Sequence, residues 1–546
     1  MKRSSIALAG LLAALALAVS QAAGAPEQTP KRGGTVVFGP VAESVCLNPI
    51  RLQPCGVGPQ MTWIWDKVLL PAFAMAPDFT KRPALVSGVT LAKGPPFAVT
   101  FHIRPEARWS DGVQIGSRDF AFTHRTRLAL LAKAPPDVFD VHKLVKSIEI
   151  VNSKTFRVVF RERAADYRDL FYAVLPRHVL TGRNLEQIWT DGIDDPRTGR
   201  PIGSGPFLVE RWERGKQLTL VRNPRYWGPH TAHLNRLVVR YCRTSCQAPT
   251  PAEVIESFRT GAVDMVYERT AENVPSLRRI RGTRVVLYRT NGWEHLTLRQ
   301  DPGGHPALGD KRVRQALAYG IDRAAIVKQL WGVIDSRYSV LQSAVLLNSA
   351  RGYSPNWEAY SYRPNLARRL LGRAGCRPGS DGIYICGQAR LSLRLFTSLG
   401  TPQRVQAVEL MQAQLRRVGI DVRLSFTTFP ALLDVVDGGD FDAAAYAWIF
   451  VNGYRQKGIF GCGGPQNVTG YCQRLVTSDV DQADRILDDV QRARVLNRVD
   501  RQLAKDIPLI PLYQIPYVVA YDDTVRNVVP SPDNLFWNAE DWWLDD

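Results

Sequence analysis

The chain has 546 residues, 45% hydrophobic and 22% charged, and its 70 Lys and Arg against 51 Asp and Glu give a formal net charge of +19. This balance excludes a disordered or low-complexity chain, and the length exceeds what one hydrophobic core serves, so roughly two to four domains are expected. The basic residues are interleaved with acids, as in "RVRQALAYGIDRAAIVK" at 312–328, and form no tract. The expectation is a solvated basic surface, drawn at most to a negative membrane leaflet, with no nucleic-acid partner.

Lys2 and Arg3 precede an apolar run from Ile6 to Val19, and small residues follow around Ser20 to Ala25. This is the pattern of a secretory signal, and the run is shorter than the about 20 residues that a bilayer requires. Residues 1–25 are read as a removable signal peptide, and the mature chain as exported, soluble and peripheral to the membrane. The first cysteine is Cys46, so no lipobox cysteine follows the cleavage region. The expected location is the periplasm or the outer face of the cytoplasmic membrane.

Along the mature chain, "GTVVFG" (34–39), "FAVTFHIR" (97–104) and "TFRVVFR" (155–161) read as strands, and the Asp-Gly of "WSDGV" (109–113) as a turn between strands. "GSGPF" (203–207) lacks a Lys-Ser/Thr pair at Walker spacing, so a tight turn into a strand explains it better than phosphate binding. His230 and His233 have no carboxylate or thiolate near them in sequence and read as a polar loop. Val313, Leu317 and Ile321 form a helical stripe, and Asp322 is placed to cap the next helix.

Between 390 and 450 the pattern becomes regular. "RLSLRLF", a helix carrying Val405, Val408, Met411, Leu415 and Val418, "IDVRLSF", a short helix around Leu432, Leu433 and Val436, and "FDAAAYAWIF" give the order β-α-β-α-β. Such an order implies parallel pairing with right-handed crossovers, and ligands gather beyond the carboxyl ends of such strands. Thr397, Ser398, Thr427, Thr428 and the run Trp448 to Asn452 should therefore share one rim. That rim continues into "YAWIFVNGYRQKGIFGCGGPQNVTGYC" (446–472), which has Arg455 and Lys457 but no acid: no carboxylate occurs between Asp442 and Asp479. Further on, Pro508 and Pro511 keep "IPLIPLY" extended.

The 8 cysteines fall into local couples, Cys46 with Cys55, Cys242 with Cys246, Cys376 with Cys386 and Cys462 with Cys472. In an exported chain these read as four disulfides in preference to zinc ligands. No Gly-x-Ser-x-Gly, His-Glu-x-x-His, P-loop or dinucleotide fingerprint is present, so no catalytic residue, cofactor or metal centre is expected.

Several stretches together resemble the extracellular solute-binding proteins of family 5, the dipeptide, oligopeptide and nickel class that serves ABC importers. They are "KRGGTVVFG", "FHIRPEARWSDGVQIGSRDFAFTHR" (101–125), "GSGPFLVERWERGKQLTLVRNPRYWG" (203–228), "GAVDMVY" (261–267), "DKRVRQALAYGIDRAAIV" (310–327), "ARRLLGRAG" (367–375) and "DIPLIPLY" (506–513), in the family's order over nearly the whole mature chain. The resemblance implies a periplasmic-binding-protein-like α/β fold of type II, cluster C, with two lobes, a hinge and an extra subdomain. By motif, the first lobe comprises 33–64, 202–292 and 515–546, the extra subdomain 65–201 and the second lobe 293–514. It further implies a monomer that is not an enzyme, encloses an oligopeptide between its lobes and delivers it to permease subunits driven by ATPases. The ligand-binding set that follows is Trp448, Asn452, Arg455, Tyr446, Thr397, Ser398, Trp293 and Asn48.

Peptide-binding relatives commonly carry an aspartate after the tryptophan of this strand, and Trp448-Ile-Phe-Val-Asn452-Gly-Tyr-Arg455 has none. A buried ammonium without a carboxylate costs several kcal/mol. Either Asn452 and backbone oxygens take the amine, or the cargo is an anionic, sugar-like or opine-like solute or a metal chelate, with Arg455 meeting an acidic group. A secreted hydrolase or a non-transport receptor on the same scaffold is the alternative of another class.

Overall fold

The computed structural model describes residues 29–50, 60–133, 140–242, 249–268, 270–449 and 456–545. Ten strands build one mixed sheet: β1 (Thr35–Val41), β2 (Phe207–Glu213), β3 (Gln217–Arg222), β4 (Arg236–Tyr241), β5 (Met265–Glu268), β6 (Thr283–Leu298), β7 (Ser392–Ser398), β8 (Asp421–Thr427), β9 (Ala443–Ile449) and β10 (Leu509–Asp522). Their order across the sheet is β8-β7-β9-β6-β10-β5-β1-β4-β3-β2.

β6 and β10 are the long members, with 16 and 14 residues. They pair antiparallel from Thr283 opposite Asp522 to Arg289 opposite Pro516, and pairing resumes at Trp293 opposite Gln514. A second irregularity falls between Glu294 and His295, where His295 faces Pro511. Proline has no N–H to give to a ladder, which is why a strand carrying two of them inside a sheet breaks register beside each. The first break is bridged by side chains. Thr290 Oγ1 donates to the Ile515 carbonyl at 2.9 Å and accepts from Gly292 N at 3.1 Å, while Gln514 Nε2 donates to the Thr290 carbonyl at 2.6 Å. Backbone groups left without a ladder partner are satisfied in this way.

The same break separates two hydrophobic cores. On one side Val286, Tyr288, Tyr517, Val519 and Tyr521 pack with Phe38, Trp63, Phe101, Phe156 and Trp542. On the other, Trp293, Leu296, Leu512 and Tyr513 pack with Leu317, Trp331, Leu393 and Met411. Ile515 touches both.

The first core extends into a four-stranded antiparallel sheet, Val86–Leu91, Ala98–Ile103, Thr155–Phe160 and Val145–Asn152 in that order. The predicted strands at 97–104 and 155–161 are its two central members. Phe101 stacks on Phe156 at 5.0 Å between ring centroids, and Phe120 from the covering helix lies 4.8 Å from Phe156. The "WSDGV" turn forms as read, with Gly112 at φ +96 and Trp109 fully buried. "GSGPF" is structural. A Cβ on Gly205 would lie 2.2 Å from the Lys67 carbonyl, and Ser204 Oγ accepts from Leu70 N at 2.8 Å, so the turn is packed against the end of a helix.

Six helices matter below: α1 (Gln60–Val68), α2 (Ser117–Leu131), α3 (Pro402–Arg417), α4 (Phe429–Gly438), α5 (Gln456–Phe460) and α6 (Arg474–Ala483). The expected β-α-β-α-β unit is β7-α3-β8-α4-β9, with β8 and β9 both parallel to β7. Arg404, Val408, Met411 and Leu415 lie on the buried face of α3, and Asp322 accepts from Ala325 N at 2.9 Å as the expected cap. Cys376 is bonded to Cys386 and Cys462 to Cys472, each across 10 positions. Cys46 and Cys242 are also disulfide-bonded; Cys55 and Cys246 lie outside the described residues.

Candidate functional site

The carboxyl end of β9 and one face of α4 line a cavity of about 1210 Å³ whose walls come from both cores. Arg127 of α2, Asp140, Leu144, Glu162 and Tyr172 form one wall. Opposite are Phe429, Leu433 and Val436 of α4, Tyr446 and Trp448 of β9, Arg299, Asp301 and the loop from Cys462 to Val468. Phe429 and Leu433 are one helical turn apart, so α4 offers the cavity an apolar stripe, and both are unusually exposed for their type, 45% and 37%.

Behind Tyr446 and Trp448 stands β6. Trp293 pairs with Trp448 and His295 with Tyr446 across the strands, and the His295 ring is parallel to that of Trp448 at 6.0 Å. Cross-strand neighbours on one face lie close enough to hold each other's rings, so the aromatic wall has a rigid backing.

The other face of the same strands carries a buried ion pair. Arg404 donates to Glu294 through two parallel bonds of 2.9 and 2.7 Å and to Ser398 Oγ at 2.9 Å. Both charged side chains are about 5% exposed or less, and the three residues tie α3 to β6 and β7. A carboxylate inside the apolar run "GWEHLTL" and an arginine four positions before Val408 on a buried stripe were the sequence signals for this pair.

Of the residues named from sequence, Tyr446 and Trp448 line the cavity. Trp293 is buried behind them. Thr397 and Ser398 lie inside the sheet, where Thr397 Oγ1 donates to the Ala445 carbonyl at 2.9 Å and Ser398 is held by Arg404. Thr428 caps α4. The hydroxyls of Thr397 and Ser398 thus serve local structure in a strand with neighbours on both sides, whereas Thr428 is exposed. Asn48 is buried and donates to the Leu185 carbonyl at 2.6 Å; the carbonyls of the next two residues, Pro49 and Ile50, accept from Tyr172 and Arg127 of the cavity wall. Asn452 and Arg455 lie outside the described residues.

The absence of acid from 446–472 does not carry over to the cavity. Asp140, Glu162, Asp301 and Asp437 reach it from other parts of the chain. Among the described residues, its cations already have carboxylate partners: Arg127 with Asp140 at 2.9 Å, Arg299 with Asp301 at 2.5 Å, and Lys457 with Asp481 at 2.6 Å. A wall of paired charges and aromatic rings imposes no single sign on a ligand.

The loop after α5 is held from several sides. The disulfide closes it, Asn467 Nδ2 donates to the carbonyls of Gly461 and Tyr471 at 2.8 and 2.6 Å, and Tyr471 donates to Asp506 at 2.8 Å. A Cβ on Gly464 would meet the Gly458 carbonyl at 2.4 Å, so only glycine fits that point of the cavity wall.

Three buried histidines stay neutral near the site. Desolvation pushes His295 down to about 3, reinforced by the nearby Arg404 charge, and pushes His142 to about 3 and His124 to about 4. His124 and His142 face each other with Nδ1 atoms 2.9 Å apart. Unfolded imidazoles gain a proton below about pH 6.5, so the stability from keeping these rings neutral is complete above that pH and is lost as pH falls toward 4 and 3. Asp66 and Glu268, both pushed up to about 7 by burial, act in the opposite sense. Nitrogen-15 spectra of the three rings are expected to show neutral imidazole down to pH 5; a protonation midpoint above 6 for any of them would contradict its burial.

Among the described residues, no group of three or more His, Cys, Asp or Glu is placed to hold a metal, and no helix is long and apolar enough to cross a membrane.

Residues 95–467, more than half of the chain, match the family model described as bacterial extracellular solute-binding proteins, family 5 middle. The chain belongs to family 5 of the bacterial extracellular solute-binding proteins. Members of this family bind solutes and are not enzymes. The oligopeptide-binding protein AppA of Bacillus subtilis is 23% identical over 577 residues, covering 100% of this chain and 99% of AppA. Among solved structures, the periplasmic EDTA-binding protein EppA aligns with a TM-score of 0.82 at 21% identity, covering 95% of this chain and 98% of its own. AppA from Bacillus subtilis in complex with a nonapeptide aligns at 0.74 and 20%, covering 95% and 100%. The family 5 member therefore has the periplasmic-binding-protein-like α/β fold.

Proposed function

We propose that this solute-binding protein is the extracytoplasmic receptor of an ABC importer, closing two lobes on an oligopeptide and presenting it to permease subunits driven by ATPases. The observation that carries the reading is the cavity walled by both cores, which, among the described strands, β6 and β10 join through the sheet. In this reading the lobes are 33–64 with 202–292 and 515–546, and 293–514. Residues 65–201 are the extra subdomain, and the strands pivot where Thr290 and Gln514 bridge the break in register. Tyr446 and Trp448 touch the solute, and Asn452 and Arg455, which follow in sequence, are further candidates for contact. Residues 1–25 direct export, and the protein works as a monomer outside the cytoplasm.

The AppA name and the bound nonapeptide support peptide cargo, as does a cavity larger than most single-ligand pockets, which run to about 1,000 Å³. Its paired charges and apolar α4 stripe fit chains of varied side chains. A ligand that binds only the folded state at 100 times its Kd adds about 2.7 kcal/mol. Thermal unfolding with peptides of increasing length, their N-acetylated forms and metal chelates is expected to show stabilisation by peptides. Stabilisation by chelates alone would replace the cargo while leaving solute binding in place.

A further inference from the structure

Away from the hinge, a second connection joins the two cores. The segment 484–488 between α6 and the following helix leaves the second core and meets the subdomain of the first. The Asp484 carbonyl accepts from Ala165 N at 3.0 Å, and Leu487 packs against the first core. Beside it runs a chain of ion pairs: Lys457 to Asp481 at 2.6 Å, Asp481 to Arg485 at 2.6 Å, and Arg485 to Glu162 at 2.9 Å. The two ends of this chain, Lys457 and Glu162, line the cavity from opposite walls. Opening the lobes about β6 and β10 separates Glu162 from Arg485, whereas the other two pairs lie within the second lobe.

We propose that Arg485 and Glu162 form the clasp that holds the lobes shut, with Asp481 and Lys457 orienting the arginine from the cavity side. The proposal rests on the opening and closing described above. Arg485 is 43% exposed and Glu162 32%, so the clasp is partly screened by water and salt, and its loss should shift the open-to-closed ratio about 2- to 5-fold.

Spin labels at Val151 and Leu475, exposed positions on the subdomain and on α6, report the separation of the lobes. R485Q and E162Q are each expected to move the distance distribution toward longer values and to weaken a bound peptide about 2- to 5-fold. The double variant should go no further than either single one, because both remove the same contact. In the wild type, 1 M sodium chloride should reproduce the shift; in R485Q it should add nothing. Unchanged distances in both single variants, or additive shifts in the double variant, would overturn the clasp. Failure of every peptide to bind would count against peptide cargo alone, because the distances are read without ligand.

Discussion

Arg404→Ala is expected to destabilise the second core by about 3–5 kcal/mol, the largest effect of any single substitution considered. The change leaves the Glu294 carboxylate buried with no guanidinium opposite it, and breaking one partner of a buried pair is far more damaging than replacing both. Arg404→Met combined with Glu294→Leu should therefore recover most of the loss. Urea unfolding at pH 7 of the single and double variants decides the matter: equal losses in the two would show that packing, not the unpaired charge, is responsible. Glu294 stands between Trp293 and His295 and faces Ala447, between Tyr446 and Trp448, so the single variant should also lose binding through a displaced wall.

Trp448→Ala is expected to weaken cargo binding about 30-fold or more, the loss typical of a central tryptophan contact, with little change in stability. The ring is half-buried, lines the cavity and sits at the end of β9, so its removal opens the wall and leaves the core beneath it intact. Titration calorimetry with the peptide that best stabilises the wild type gives the measurement. An unchanged affinity would remove Trp448 from the binding surface, and a matching loss of thermal stability would make its role structural.

Much of the fold was legible because its signals are local. The alternation in "FAVTFHIR", the stripe through Met411 and Leu415 and the β-α-β-α-β order each depend on neighbours within a few residues. The motif order also led to the family. The cavity was legible only on one side. Tyr446 and Trp448 could be found by following β9 to its end, but Arg127, Asp140, Glu162 and Tyr172 lie some three hundred positions earlier, and no local pattern marks them as facing that strand. The missing acid of 446–472 is a local pattern as well: carboxylates near a site are counted in space, and Asp301 and Asp437 line the cavity from other parts of the chain. Thr397 and Ser398 are bonded to the Ala445 carbonyl and to Arg404, partners that their position at a strand end does not reveal.

The prolines of β10 bear on the closure proposed above. In the proposed hinge, Pro511 and Pro516 give no amide to the ladder, and side chains of Thr290 and Gln514, which lie within the joint itself, supply hydrogen bonds in its place. In the proposed closing motion, the balance between states is then set largely by what the far edges of the lobes grip. Small differences in cargo would be read as large differences in population, because the pivot contributes little bias of its own.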